Sequence, residues 1–358
     1  MRDIFEDLFV LEMANNHWGR PSRGLRIIDE YSKIVRFNNV KAAIKLQFRD
    51  VENFIHKDFV KRTDIRYIKK TVDTRMSKED LAKMMVAIKK GGCIPMVTPF
   101  DEKSVETAVE LGAQILKIAS YDINDWFLIE KIATTKKPVM VSTGGTSMKD
   151  IDDIVTFFEN RNIPLAINHC VSLYPSEDCE LQLNQIDFLR NRYPAHTIGL
   201  STHECRDWQY SIMMAYAKGA RTFERHVDIE ADEIPVSPYC SLPSQVDTWF
   251  KAFNKAKEMC GGSAIEKRVP SEKEVAYLDA LVRGIYAKRN LPKGHKLVEE
   301  DVYLAVPLQK GQISCREFMS GEVLLAPCQK DHPIIIDMID SPYAGNNELK
   351  KLIYKRGA

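Results

Sequence analysis

The chain has 358 residues, and its 51 basic and 50 acidic side chains leave it close to electrical neutrality. It therefore carries no basic arm of the kind that binds nucleic acid and no acidic tail of the kind that stays disordered. No apolar run approaches the roughly 20 residues that cross a bilayer, and the first seven residues do not form a signal peptide. Eight scattered cysteines without a Cys-x-x-Cys pair indicate reduced thiols, so we expect a cytoplasmic enzyme.

Short apolar runs alternate with longer amphipathic ones through residues 1–262. The predicted strands are 8–14, 40–47, 93–98, 114–119, 139–143, 165–170, 197–201 and 221–226. The predicted helices are 25–35, 78–90, 102–111, 126–134, 148–160, 181–193, 208–218 and 244–259. Eight strands, each followed by a helix, predict an α/β fold of the (β/α)8 TIM-barrel type. An open doubly wound sheet is the alternative, and it is disfavoured because no Gly-x-Gly-x-x-Gly follows the first strand.

The remaining quarter of the chain has a different character. Residues 263–282 form a charged connector. Short strands and tight turns such as 290–294 then predict a small β-rich module over 283–341. Residues 342–358 are polar and basic, so we expect a frayed tail.

Polar residues follow every predicted strand of the barrel, whereas the strand bodies are apolar. Catalytic groups of such barrels lie at the C-terminal ends of the strands. The strand ends supply Glu12, Lys45, Gln47, Thr98, Lys117, Ser120, Asp122, Ser142, Ser172, Ser201, His203, Glu224 and His226. We therefore expect one site at this rim.

Two histidines stand at the ends of successive strands in this set. His203 and His226 end a strand–helix–strand unit, so parallel pairing would place them side by side, with Glu204, Glu224 and Arg225 near them. Two imidazoles on a rigid scaffold suit a divalent metal with open coordination positions. The alternative is two unrelated structural histidines.

Two lysines converge on the same rim. Lys45 shares a strand face with Gln47, and Lys117 lies within an apolar strand, where its charge needs a partner. Together with the serines and the backbone of 143–145, these ammonium groups predict a binding site for a phosphate or carboxylate.

The motifs at these strand ends, taken together, resemble the sialic acid synthase family of N-acetylneuraminate, legionaminate and pseudaminate synthases. The likeness rests on Lys-Leu-Gln at 45–47, Thr-Pro-Phe at 98–100, Lys-Ile-Ala-Ser at 117–120, Val-Ser-Thr-Gly at 141–144, His-Cys-Val-Ser-Leu-Tyr-Pro at 169–175, Gly-Leu-Ser-Thr-His at 199–203 and Glu-Arg-His at 224–226. Residues 287–297 resemble the family's antifreeze-like (SAF) domain.

The resemblance implies a reaction in which phosphoenolpyruvate condenses with an aldose, typically an N-acylated amino hexose. The products would be a 2-keto-3-deoxy acid and phosphate. It implies a divalent metal, usually Mn²⁺ although Mg²⁺ or Co²⁺ would also serve, held by His203 and His226. The resemblance assigns substrate contacts to Lys45, Gln47, Thr98, Lys117, Ser120, Ser142, Ser172, Tyr174 and Ser201, and acidic roles toward the sugar to Glu12, Asp122 and Glu224. It also implies a homodimer in which each SAF module lies over the partner's barrel.

The sequence departs from the family where the sugar is recognised. The family's Arg-Pro-Gly becomes Leu-Ala-Val-Pro-Leu at 304–308, its Gly-Pro-Asp becomes Pro-Val-Ser at 235–237, and its first motif is altered at 12–19. We therefore expect an aldose other than N-acetylmannosamine, unless Lys310 or Arg316 replaces the missing arginine from a shifted loop.

Three questions stay open from the sequence. Either Glu12 or Asp122 is the candidate for proton transfer at the sugar oxygens. A synthase of the 3-deoxy-heptulosonate or 3-deoxy-octulosonate type, acting on a phosphorylated sugar, is the rival enzyme, and a phosphorylated hexose is also compatible with this scaffold. The rival from another class is a non-catalytic carbohydrate-binding protein on a decayed barrel.

Overall fold

The computed structural model describes residues 4–262 and 265–357, which form two compact units, Met1–Gly261 and Gly262–Ala358. The first unit is a closed barrel of eight parallel strands in sequential order, with β1 paired to β8. The strands are β1 Leu8–Ala14, β2 Ala42–Phe48, β3 Ile94–Pro99, β4 Ile115–Ile118, β5 Val139–Ser142, β6 Leu165–Cys170, β7 Thr197–Thr202 and β8 Thr222–His226. The predicted TIM barrel is therefore confirmed, and the open sheet is excluded.

Helices cover the outside of this barrel. They are α1 Pro21–Asn38, α2 Val51–Phe54, α3 Arg66–Asp73, α4 Lys78–Lys90, α5 Glu102–Glu110, α6 Trp126–Thr134, α7 Met148–Glu159, α8 Asn184–Arg192, α9 Trp208–Ala217 and α10 Pro243–Cys260. Several begin at a polar side chain that accepts a hydrogen bond from the first turn, as Ser77, Asp101 and Ser147 do. None of the helices in the described residues is long and apolar enough to cross a membrane.

Besides a longer α1, which runs over Pro21–Asn38 rather than the predicted 25–35, the helices differ from the predicted ones in two places. The crossover between β2 and β3 contains α2 and α3, which the sequence pattern did not reveal. The helix predicted to begin at residue 181 begins at Asn184, because a 3-10 turn at Asp178–Glu180 precedes it. Both differences lie in segments between a strand end and the next long helix, where the cavity described below is built.

The inward-facing side chains of the barrel form layers along its axis. At the N-terminal end the layers are apolar and include Leu8, Val10, Ala43, Ile115 and Met140. Alternation along the strands then puts the next inward positions at the C-terminal end. These positions are Glu12, Lys45, Gln47, Thr98, Lys117, Ser142, Ser201, Glu224 and His226, all polar. The apolar layers thus form a floor beneath a polar site.

A glycine permits the buried polar contact between these layers. Thr222 donates a hydrogen bond to the Asn168 amide oxygen at 2.5 Å across the barrel interior. A Cβ at Gly199 would collide with both side chains. Glycine at position 199 therefore leaves the room that this contact between β6 and β8 needs below the site.

The second unit is small and rich in short strands. β9 Gly284–Ala287 pairs antiparallel with β10 Val302–Ala305, and β11 Val323–Leu324 pairs antiparallel with β12 Ile339–Asp340. A separate apolar cluster holds it together and includes Ile285, Leu297, Ile313 and Ile334.

Two segments flanking this module are more ordered than expected. The charged connector contains the helix α11 Glu272–Asp279. The tail expected to be frayed instead contains α12 Pro342–Gly345 and α13 Asn347–Tyr354. The tail is ordered because Ile353 is buried against the module's apolar cluster and Arg356 forms an ion pair with Glu317 at 2.6 Å.

Candidate active site

A cavity of about 650 Å³ opens at the C-terminal ends of the barrel strands. It is lined by nearly all of the site residues expected from the sequence, namely Glu12, Lys45, Gln47, Thr98, Lys117, Ser120, Ser142, Ser172, Tyr174, Ser201, His203, Glu224 and His226. The inward alternation of the strands brings these side chains together from all eight strands or the loops that follow them.

Asp122 is the exception. It ends the 3-10 turn Ser120–Asp122 after β4, and this turn places its neighbours Tyr121 and Ile123, rather than Asp122, on the cavity wall. Its carboxylate is buried, and Oδ2 has no hydrogen-bond partner. Burial, with the nearby Asp125 charge, raises the pKa of Asp122 to about 7, although Arg49 works in the opposite direction.

Four charged side chains form a buried network on the cavity floor. Lys117 Nζ lies 2.7 Å from one oxygen of Glu224, and Lys45 Nζ lies 2.8 Å from the other. Lys45 also forms an ion pair with Glu12. Two ammonium groups and two carboxylates therefore neutralise one another in a buried environment, where an unpaired charge of either sign would be destabilising.

The members of this network differ in proton affinity. Burial disfavours the Glu224 carboxylate, but Lys117 and Lys45 outweigh it and hold the pKa of Glu224 below its ordinary value. Burial, aided by the Glu224 charge, raises the pKa of Glu12 despite Lys45. Burial lowers the pKa of Lys117, which has one carboxylate partner, whereas the two carboxylates beside Lys45 raise its pKa. Glu12 is thus the carboxylate of the network best suited to carry a proton.

Hydroxyl groups continue the network on one side of the cavity. Lys117 donates to Ser142 Oγ at 2.6 Å, and the Gly144 N–H donates to Ser120 Oγ at 3.0 Å. A Cβ at Gly144 would collide with the Ser172 hydroxyl, so glycine is needed there for close approach. Ammonium, hydroxyl and backbone N–H donors converge on one volume, which is the donor set that binds phosphate or carboxylate groups.

The two histidines lie side by side, with ring centroids 5.4 Å apart. Rings that share one metal at about 2.1 Å from each nitrogen have centroids roughly 4.5–5.5 Å apart. The Tyr174 ring packs against His203 at 3.9 Å between centroids, and the Tyr239 ring lies 5.2 Å from His226. The predicted juxtaposition of the imidazoles is therefore present.

The environment of both histidines keeps them neutral. Burial lowers the pKa of His203 to about 4 and lowers the pKa of His226 well below its ordinary value. His203 Nδ1 donates to the Val171 carbonyl at 2.9 Å, which leaves the Nε2 lone pair free. His226 Nδ1 is buried and has no hydrogen-bond partner. Neutral rings with uncommitted nitrogens fit a divalent metal, and within residues 4–262 and 265–357 no third His, Cys, Asp or Glu joins them.

Other charged residues at the same strand ends have a positioning role. Arg225 is fully buried, forms an ion pair with Glu204 at 3.1 Å and donates to the Glu204 carbonyl at 2.6 Å. It also donates to Ser241 in the loop after β8. These bonds link Glu204, which follows His203, to Arg225, which precedes His226. Glu204 and Arg225 thus lie next to the histidines in the chain, as expected, but they pair with each other and do not line the cavity.

The cavity also has a wall that sequence reasoning missed. It is formed by Arg49, Tyr67, Lys70, Phe100, Tyr121, Asn124 and Tyr239, among others. Arg49 continues the alternation of Lys45 and Gln47 by two further residues, so the sequence carried a signal for it. Lys70 and Tyr67 lie on α3, whose short polar sequence gave none.

Comparisons with known proteins agree with this fold and site. The NeuB family matches residues 38–264. A protein from Chromobacterium violaceum, described as a spore coat polysaccharide biosynthesis protein E, has a solved structure with a TM-score of 0.89, 36% identity and coverage of 94% of this chain and 100% of its own. The N-acetylneuraminate-9-phosphate synthase of Drosophila melanogaster is 31% identical over 66% of this chain and 69% of its own length. The pseudaminic acid synthase of Campylobacter jejuni is 28% identical over 59% of this chain and 60% of its own length.

The barrel and its polar rim define an enzyme-type (β/α)8 scaffold. The chain belongs to the NeuB family, whose members include synthases of sialic acid and related sugars.

Proposed function

We propose that this protein condenses phosphoenolpyruvate with an aldose to give a sialic-acid-like 2-keto-3-deoxy acid and inorganic phosphate. The observation that carries the proposal is the Glu12–Lys45–Glu224–Lys117 network, which lies in one cavity with His203 and His226. This arrangement offers an anion site, a proton donor and a metal site together. Membership of the NeuB family supports the reaction class.

Phosphoenolpyruvate would occupy the side of the cavity formed by Lys45, Lys117, Ser142, Ser172 and Ser201. Both lysines are already paired with carboxylates, so the charge of the network is balanced before substrate binds. Protonation of Glu12 leaves the two lysines with a net positive charge, which favours the substrate's phosphate and carboxylate. Binding is therefore expected to be accompanied by proton uptake.

The aldose would contact Gln47, Thr98 and Tyr174. C3 of phosphoenolpyruvate attacks the aldehyde carbon and forms the new C–C bond, while the aldehyde oxygen takes the proton held by Glu12. Water then adds at C2 and returns a proton to the Glu12 carboxylate. The C–O bond to phosphate breaks as the new C2 hydroxyl becomes the keto group, and the proton of that hydroxyl leaves with the phosphate. Lys45 and Lys117 offset the charge that develops on the departing phosphate.

His203 and His226 would hold a divalent metal, Mn²⁺ in our proposal, which when bound polarises the aldehyde oxygen as a Lewis acid. Their neutral state and uncommitted nitrogens support this assignment. Tyr174 and Tyr239 pack against the two rings and help to fix their orientation. Orientation of both substrates in one cavity is expected to supply much of the acceleration.

We further propose that residues 283–341 form an SAF-like module and that the protein acts as a homodimer. The short antiparallel strands and separate apolar cluster of the second unit support a module of that type. The altered sugar-recognition motifs, with no arginine at 304–308, support an acceptor other than N-acetylmannosamine.

The test is phosphate release from phosphoenolpyruvate in the presence of Mn²⁺ and pooled aldoses, with mass measurement of the product. We expect release that requires both substrates and stops with EDTA, and a product mass equal to aldose plus pyruvate. Sugar binding without phosphate release would instead support a carbohydrate-binding protein. A clear preference for N-acetylmannosamine would contradict the proposed change of acceptor while leaving the reaction class intact.

A further inference from the structure

A second cavity, of about 450 Å³, lies between residues 178–184, at the start of α8, and the helix α9. It shares no lining residue with the barrel cavity, the one at the C-terminal ends of the strands. Its volume falls within the range of cavities that bind small molecules. The second cavity is therefore a candidate binding site that is separate from the site of the proposed condensation.

Apolar side chains form much of the lining of the second cavity. Leu181 and Leu183 line it and are buried, whereas Tyr210 and Met214 are 57% and 50% exposed. Tyr210 and Met214 are four residues apart on α9, so they lie on the same face of this helix. Large apolar side chains that stay half-exposed in a concavity offer area for a ligand to bury. The ligand is therefore expected to have an apolar body.

The charge of this lining is negative. Asp178 and Asp207 both line the second cavity, and neither carboxylate forms an ion pair with any residue that the structure describes. Lys218 is the one cation among the described lining residues, and it lies 2.7 Å from Asp187, which is not part of the lining. Since Lys218 is already neutralised, the two free carboxylates determine which charge the cavity attracts.

A backbone contact brings the two carboxylate-bearing segments together. Ser176 and Glu204 form a parallel β-bridge, and the Ser176 N–H donates to the His203 carbonyl at 3.3 Å. Both segments leave this bridge in the same direction, so Asp178 and Asp207 follow it on neighbouring strands of chain. Asp207 immediately precedes α9 but its side chain does not cap that helix. Its carboxylate is therefore available to a ligand.

Buried hydrogen bonds fix both sides of the second cavity. On α9, Ser211 Oγ donates to the Glu204 carboxylate, which pairs with Arg225 at 3.1 Å. On the opposite side, the Leu181 carbonyl accepts a hydrogen bond from His169 Nε2 at 2.7 Å. Walls that are fixed before a ligand arrives reduce the ordering that binding requires, which favours affinity.

We propose that the second cavity binds a small organic cation, an ammonium or guanidinium group on an apolar or aromatic body. The apolar body packs against Tyr210 and Met214, and the cation lies between the carboxylates of Asp178 and Asp207. The Tyr210 ring provides a further favourable surface for positive charge. This site goes beyond the proposed condensation, because phosphoenolpyruvate is an anion and the two cavities select opposite charges.

The experiment uses three probes that share a phenylethyl body and differ in charge: phenethylamine, 2-phenylethanol and 3-phenylpropanoate. Each is titrated calorimetrically into the full-length protein at low salt. We expect the amine to bind with a Kd of about 1 mM or tighter, in line with its small size. The alcohol and the carboxylate should bind at least about fivefold more weakly, because they lack the charge-assisted contacts. Equal affinity of the three probes, or no binding of the amine, would overturn the proposal.

Variants of the lining locate the bound amine. Asp178→Asn and Asp207→Asn should each weaken its binding by about threefold, the size expected for a half-exposed ion pair. The double variant should bind the amine no better than the alcohol. Met214→Trp should obstruct the cavity and weaken binding of the amine and the alcohol alike.

Matched controls change the same residue types elsewhere. Asp58→Asn, at an exposed aspartate, and Met259→Trp, at an exposed methionine of α10, should leave the affinity for the amine unchanged. Unaltered binding in the lining variants would place the amine at another site and overturn the proposal.

A competition measurement separates the two cavities. Saturating phosphoenolpyruvate should leave the Kd of phenethylamine unchanged, because the cavities have no lining residue in common. Displacement of the amine by phosphoenolpyruvate would place it in the barrel cavity and overturn the proposal. The readout is binding rather than turnover, so its outcome does not depend on whether the protein catalyses the proposed condensation.

Discussion

Lys117 Nζ lies 2.7 Å from Glu224 Oε2 in the interior of the barrel, although the two residues are separated by more than 100 positions in the chain. Both side chains are almost completely buried. Glu224 binds Lys45 through its other oxygen, so one carboxylate neutralises two cations. The stability of the barrel and the charge of its cavity therefore depend on the same side chain.

Replacement of Glu224 by glutamine should affect both properties. It leaves Lys45 and Lys117 with only Glu12, and an uncompensated buried charge costs about 3–5 kcal/mol. We expect a loss of that size in the free energy of unfolding, measured with urea, together with loss of phosphate release. Glu106→Gln is the matched control because Glu106 pairs with Lys131 at 2.8 Å on the surface. Similar losses in both variants would contradict the assigned role of burial.

Glu12→Gln tests the proposed proton donor. A positioned acid typically contributes 10²–10⁴-fold to a rate, so we expect phosphate release to fall by at least about 100-fold. Asp122→Asn should retain far more activity, because Asp122 does not line the cavity. Steady-state rates with saturating phosphoenolpyruvate compare the two variants. The reverse order would identify Asp122 as the donor.

Asp122 should instead control how stability depends on pH. Its pKa is about 7 in the folded protein and near 4 in an unfolded chain, so the folded state binds the proton more tightly. The associated stability is complete below about pH 4 and is lost as pH rises through about 7. The free energy of unfolding of Asp122→Asn, relative to that of the wild type, should therefore rise by up to roughly 4 kcal/mol between pH 4 and pH 8.

Urea unfolding at a series of pH values measures this difference. Asp58→Asn, at an exposed aspartate, is the control and should follow the wild-type curve. A constant difference between Asp122→Asn and the wild type at all pH values would show that the carboxyl titrates normally.

Gly144→Ala should weaken binding of phosphoenolpyruvate with little effect on folding. The new Cβ would displace the Ser172 hydroxyl and crowd Ser120 Oγ at 3.0 Å. We expect KM for phosphoenolpyruvate to rise by about tenfold or more, since each hydrogen bond to a charged group is worth about that factor. Gly345→Ala adds a Cβ in open space and is the control. An unchanged KM would remove Ser172 from the proposed anion site.

Metal removal tests the paired histidines. Dialysis against EDTA should abolish phosphate release, and Mn²⁺ should restore it and raise the melting temperature. His203→Ala and His226→Ala should each lose both responses, because the structure offers two imidazoles for the ion. His196→Ala, at a histidine paired with Glu159 outside the cavity, should retain them. A Mn²⁺-induced shift that survives in both cavity variants would place the metal elsewhere.

The sequence predicted the barrel and most of the cavity lining because two simple periodicities determine them. Apolar strands separated by amphipathic helices specify the fold, and alternation places Lys45, Gln47 and Glu224 on the inner face. The same alternation extends to Arg49, which was missed because the apolar strand had already ended. The 3-10 turn Ser120–Asp122 puts Tyr121 and Ile123, rather than Asp122, on the cavity wall, and strand alternation does not encode such a turn.

Other features depend on contacts that no local pattern encodes. The pairing of Lys45 with both Glu12 and Glu224 requires closure of β1 against β8, which joins opposite ends of the barrel sequence. The order of the C-terminal tail depends on Ile353, a buried residue of α13 that packs against a distant apolar cluster. Tertiary contacts, rather than local composition, decided both cases.

The junction of β1 with β8 has a consequence for the protein during its synthesis. Glu224 and His226 lie on the last strand of the barrel to leave the ribosome, so a nascent chain that ends before Thr222 lacks both the second imidazole and the carboxylate that pairs with Lys117. Glu12 on β1 is then the remaining carboxylate of the network, so the interior of the barrel reaches charge balance only when β8 has been made and has closed against β1.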